Sequence, residues 1–129
     1  MESIIQESTW KRPFCVGDDA EIQEFAERIG DTNPLHHDDG AARKAGLPGI
    51  IAPGVMIIGF VSALIAENIP GIMVLKMEME FQKPVCAGTV ILVSCSILQK
   101  KRFARGVITI TNHGEVVAKG SCTLLLPPP

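Results

Sequence analysis

Val55 to Ala66 is apolar around the whole circumference of a helix. Met56, Ile57, Ile58, Phe60, Val61, Ala63, Leu64 and Ile65 leave no solvated face, and only Gly59 and Ser62 interrupt them. Such a helix is stable in water only when other elements cover it. Glu67 and Asn68 close it short of the roughly 18 residues that a membrane span needs, so no transmembrane segment is expected. Beyond Pro70-Gly71 the apolar period drops to two: Leu75, Met77, Met79 and Phe81 alternate with Lys76, Glu78 and Glu80, which predicts a strand with one buried face. Thr89–Leu98 and Gly106–Thr111 are rich in β-branched residues and read as strands. Asn112-His113-Gly114 predicts a hairpin turn into a last strand, Val116–Leu126, stopped by the terminal prolines. One buried helix followed by successive antiparallel strands implies an α+β fold whose sheet wraps that helix.

Ahead of this core, Ile4 and Ile5, or Trp10 to Phe14, are expected to add a strand. Asp18-Asp19-Ala20-Glu21 has capping-box spacing and predicts a helix from Asp18 to Ile29 that Gly30 stops. Asp31 to Pro34 reads as a turn, and a short helical stretch from Asp39 to Ala45 ends at Gly46. Residues 1–129 are read as one domain, with no repeat and no linker. The sheet's outer face needs cover, and an edge strand this apolar invites pairing with a second chain, which favours a homodimer.

Composition narrows the function. The chain is 47% hydrophobic but only 5% aromatic, and its formal net charge is -2. It therefore lacks both the stacking platforms and the basic footprint of a nucleic-acid binder. Met1 to Glu7 has no basic region before an apolar stretch, so no secretory signal is read and a cytoplasmic protein is expected. Cys15, Cys86, Cys95 and Cys122 are scattered among apolar residues without a CxxC pair, the pattern of buried, reduced thiols. His36-His37-Asp38-Asp39 holds metal-ligand residue types without a metal-site spacing, so no metal is expected. Lys100-Lys101-Arg102 with Arg105 reads as a solvated turn, and Met73, Met77 and Met79 as core packing. GxGxxG, P-loop and GxSxG motifs are absent.

The densest polar cluster is Gly30-Asp31-Thr32-Asn33-Pro34-Leu35-His36, between two helices. An acid and an imidazole on a proline-stiffened turn can face one another across a water. The same residues are also ordinary turn formers, with His36 at the surface. Phe25-Ala26-x-x-x-Gly30-Asp31-x-Asn33-Pro34-x-His36-x-Asp38, then Ala42, Gly46, Pro53-Gly54 and Phe81-x-x-Pro84-Val85-x-x-Gly88, resembles the MaoC-like hydratases over most of the chain. That family, also called (R)-specific enoyl-CoA hydratases, has the hot-dog fold.

The resemblance implies a dimeric hydro-lyase that adds water to trans-2-enoyl thioesters, or runs in reverse on (R)-3-hydroxyacyl thioesters. It implies Asp31 and His36 as the catalytic pair, base and proton donor respectively, with Asn33 orienting them. The substrate would be an acyl thioester of the coenzyme A type, and no further cofactor is implied. Gly54, at the start of the apolar helix, is the candidate N–H donor to the enolate oxygen. Ser62 falls where some members carry a hydroxyl facing the pocket, and it reads equally as a helical serine bonded to its own backbone. The chain departs from the family pattern at Pro53-Gly54-Val55, where His-Gly-Met is common, and at Gly88-Thr89, where Gly-Asp is frequent. Thioester hydrolysis and non-catalytic binding of an acyl thioester are the competing readings.

Overall fold

The computed structural model describes residues 5–129. Element order is β1 (Ile5–Cys15), α1 (Asp19–Arg28), a 3-10 turn (Pro34–His36), α2 (Asp39–Lys44), α3 (Gly54–Asn68), β2 (Met73–Phe81), β3 (Val90–Lys100), β4 (Phe103–Asn112) and β5 (Glu115–Leu125). The five strands form one antiparallel sheet in the order β1-β3-β4-β5-β2. Trp10 to Phe14 thus lies in the expected first strand, whereas Ile4 falls outside the described residues.

The sheet's inner face comes from alternation along the strands, broken in β5 where the adjacent Val117 and Ala118 are both buried. Ile91, Val93, Cys95 and Ile97 of β3 are buried, as are Ala104, Ile108 and Ile110 of β4 and Ala118, Cys122 and Leu124 of β5. They close on Met56, Ile57, Val61, Leu64 and Ile65 of α3. Each of these helix side chains contributes on the order of 2 kcal/mol by leaving water. Phe14 of β1 stacks on Phe60 of α3 with ring centroids 4.9 Å apart, fixing the helix against the sheet edge. The α+β architecture with a sheet curled around one long helix is the expected one, and no described helix is long and apolar enough to cross a membrane.

Three expectations about burial are corrected. Helix α3 is covered on one side only: Val55 is 52% exposed, and Gly59, Ser62, Ala63 and Ala66 share its open face. Helical periodicity reports that a face is apolar, not that this chain supplies its cover. Strand β2 is an edge strand with a bulge at Leu75, between the Val74–Leu124 and Lys76–Thr123 pairs. Only Met77 and Met79 pack against the core, while Met73, Leu75 and Phe81 are exposed. Among the cysteines, Cys95 and Cys122 are buried as expected, but Cys15 is exposed and Cys86 half-buried. The Cys95 thiol is held well above its usual range by its hydrogen bond to the Cys122 sulfur and by burial.

The basic turn is solvated, and Arg102 spends its guanidinium on the Leu126 carbonyl at 3.2 and 3.3 Å. The β4–β5 hairpin has His113 and Gly114 both in the left-handed region, as a tight hairpin turn requires.

Candidate active site

The end of α1 places the acid. Gly30 has φ 73°, its N–H donates to Glu27 O at 3.1 Å, and the Asp31 N–H donates to Ala26 O at 2.8 Å. These two bonds form a Schellman cap, so Asp31 is fixed by the way the helix stops. Its side chain is fixed next: Oδ1 accepts the Asn33 N–H at 3.0 Å. Asn33 in turn accepts the Leu35 N–H at 3.1 Å and so caps the 3-10 turn that Pro34 begins. That turn carries His36 inward, where it is the one buried polar residue among those described, at 7% exposure.

His36 is anchored from behind. Its Nδ1 lies 2.7 Å from the Ile51 carbonyl, which can only accept, so Nδ1 carries a proton. The Ile51 N–H returns a bond to Leu35 O at 3.1 Å, and Ile51 forms an isolated antiparallel bridge with Cys86, so the segment behind the ring is tied on both sides. The remaining ring nitrogen, Nε2, faces Asp31 Oδ2 at 3.7 Å. This gap is too long for a direct hydrogen bond and suits a water molecule touching both groups.

His36 forms part of the wall of a cavity of about 340 Å³, with Gly54, Ile57, Phe81, Lys83 and Val85 among its other walls. The cavity is within the size range of small-molecule sites, and most of its walls are apolar. Gly54 begins α3, where the first-turn N–H groups have no intrahelical acceptor and the helix dipole is positive. The Phe81 ring lies so close to it that a Cβ on Gly54 would meet Cε2 at 3.0 Å. Lys83, at the cavity edge, pairs with Glu115.

The residues singled out in the sequence therefore separate into groups. His36 and Gly54 line this cavity, and Asp31, which is not among its walls, faces His36 across the 3.7 Å gap. Asn33 is exposed and shapes the turn rather than reaching the cavity walls. Ser62 lies on the open face of α3, two turns beyond Gly54, and is not among the cavity residues. Sequence reasoning missed the Ile51 carbonyl, which has no side-chain signature, and the approach of Phe81 to Gly54. It passed over Lys83 although the Phe81-x-x-Pro84 motif contains it.

Replacing Gly30 by Ala forces a side chain into the left-handed region and is expected to lower stability by about 1 kcal/mol, measurable by urea denaturation. An unchanged midpoint would show that the cap does not hold this turn.

Residues 4–124 match the family described as MaoC like domain. An (R)-specific enoyl-CoA hydratase from Rhodospirillum rubrum is 28% identical over 114 residues, covering 84% of this chain and 79% of that protein. The R-hydratase PhaJ1 from Pseudomonas aeruginosa superposes with a TM-score of 0.80 at 27% identity, over 96% of this chain and 81% of the other. The C-terminally truncated HadBC (3R-hydroxyacyl-ACP dehydratase) complex from Mycobacterium tuberculosis gives the same TM-score at 22% identity, over 97% and 100%. A family match over nearly the whole length, on the fold and the turn described above, means that the chain belongs to the MaoC-like domain family.

Proposed function

We propose that the protein is a hydro-lyase that interconverts trans-2-enoyl and (R)-3-hydroxyacyl thioesters, with coenzyme A as the expected thiol. The observation that carries this reading is the 3.7 Å gap between Asp31 Oδ2 and His36 Nε2 at the edge of an apolar cavity. Because Nδ1 is committed to Ile51, His36 has a proton to give from Nε2 only as the imidazolium. In that form the roles divide cleanly. Asp31 takes a proton from the bridging water, whose oxygen bonds to the β-carbon. The π electrons move onto the thioester oxygen as an enolate, and His36 then protonates the α-carbon. The proton left on Asp31 returns to His36 to restore the pair, so nothing is consumed beyond water. The Gly54 N–H is the donor for the enolate oxygen, a contact whose loss typically costs on the order of 3 kcal/mol of barrier. The R. rubrum and P. aeruginosa hydratases support the hydration chemistry, and the HadBC complex points to a carrier-protein thioester as the other substrate form.

We further infer a homodimeric functional unit. Strand β2 leaves one edge unpaired and exposes Met73, Val74 and Leu75, while the open stripe of α3 runs through Val55. Phe81 belongs both to this edge and to the cavity, so a second copy along β2 would complete the site's wall.

Incubation with crotonyl-CoA tests the reading when 3-hydroxybutyryl-CoA and free thiol are followed together. Hydroxyacyl product without thiol is expected. Thiol release would assign hydrolysis instead, and binding without turnover would make the chain an acyl-thioester binding module.

A further inference from the structure

His37 is adjacent to the proposed dyad and has no place in the mechanism so far. Its Nε2 lies 2.6 Å from the Asp31 backbone carbonyl. A carbonyl oxygen only accepts, so the imidazole N–H donates. The His37 carbonyl in turn accepts from Gln23 Nε2 of α1 at 3.2 Å, and its N–H donates to Pro34 O at 3.1 Å. The ring is half-buried, and it is held by both the helix that precedes the turn and the turn itself.

We propose that His37 is a positioning residue for the Asp31 carboxylate, a proposal that rests on the dyad reading above. Asp31 is restrained at three points. Its N–H is fixed by the Ala26 carbonyl and its Oδ1 by the Asn33 N–H. Only its own carbonyl is held by a side chain, that of His37. That bond sets the plane of the Asp31–Thr32 peptide, and with it the direction in which the Asp31 side chain leaves the backbone. The holding ring and the opposing ring sit on consecutive residues of the same turn. One short segment therefore fixes both sides of the gap from Oδ2 to His36 Nε2. A water shared across that gap tolerates little error, because misplacing reacting groups by about 1 Å can cost on the order of 100-fold in rate.

The test compares His37→Phe, His37→Gln and Asp31→Asn with the parent chain on crotonyl-CoA. Phe keeps the ring's bulk and removes the donor, whereas the Gln amide nitrogen reaches about as far as Nε2. His37→Phe is expected to lower kcat by roughly 10- to 100-fold with KM within about twofold, and His37→Gln to restore most of the loss. Affinity for unreactive butyryl-CoA should stay at the parent value in both. A parent-like kcat in His37→Phe overturns the proposal, as does equal impairment of the Phe and Gln variants. If His37→Phe fails to fold, His37→Asn takes its place, since its shorter amide matches Nδ1 and cannot reach the Asp31 carbonyl. Asp31→Asn separates the two levels. If it is inactive while His37→Phe is parent-like, the positioning role alone fails. If it is fully active, the dyad reading fails and the role of His37 falls with it.

Discussion

Asp31→Asn is expected to lower crotonyl-CoA hydration by roughly 100- to 10,000-fold, the span that a positioned acid or base supplies. The substitution is nearly isosteric. Asn offers its own oxygen to the Asn33 N–H, so the Oδ1 contact at 3.0 Å and the Schellman cap at Ala26 can both persist. What disappears is the carboxylate oxygen 3.7 Å from His36 Nε2, and with it the group proposed to take the water's proton. An amide in its place does not accept a proton near neutral pH. The thermal midpoint and the affinity for butyryl-CoA should remain close to the parent values. A variant that keeps a tenth or more of the parent kcat would remove Asp31 from the base role.

Gly120→Ala should be the most damaging small substitution for the fold. A Cβ at this position would sit 2.0 Å from the Glu78 carbonyl oxygen of β2 and 2.7 Å from the Met79 sulfur. The sulfur can swing aside, but the carbonyl belongs to the ladder that pairs Met79 with Gly120. Relief requires β2 to withdraw from β5, so the cost should fall at or above the upper end of ordinary overpacking, about 3 kcal/mol. That corresponds to a fall in Tm of roughly 10 °C for a chain of this size. The neighbouring Ser121→Ala, on an exposed side chain, should melt within about 2 °C of the parent. Equal melting of the two variants would show that β2 is not held as closely as the backbone distances indicate.

The legible parts of the chain were those with local signatures. The capping box at Asp18 and Glu21 and the stop at Gly30 give the limits of α1, because cap chemistry depends on a few adjacent residues. Asp31, His36 and Gly54 were singled out by the family resemblance of the motifs that contain them, since the turn residues on their own read equally as ordinary turn formers. Burial was less legible. The apolar circumference of α3 is real, but its open stripe at Val55, Gly59 and Ser62 depends on what packs there from outside the chain. The alternation of β2 reads as one clean face, yet the bulge at Leu75 breaks the ladder without any Gly or Pro to mark it. The anchor of His36 was hidden because it is a main-chain oxygen, and any residue at position 51 presents one.

The Schellman cap at Gly30 and Asp31 means that the last turn of α1 and the proposed base are one physical object. Helix ends open locally at far lower free energy than whole domains unfold. Each such opening would release the Asp31 N–H from Ala26 and carry the carboxylate away from His36 while the sheet and α3 stayed intact. The fraction of molecules competent at any instant is then set by fraying of a single helix terminus. Mutations or solutes acting there would lower turnover by more than their shift of the melting curve accounts for.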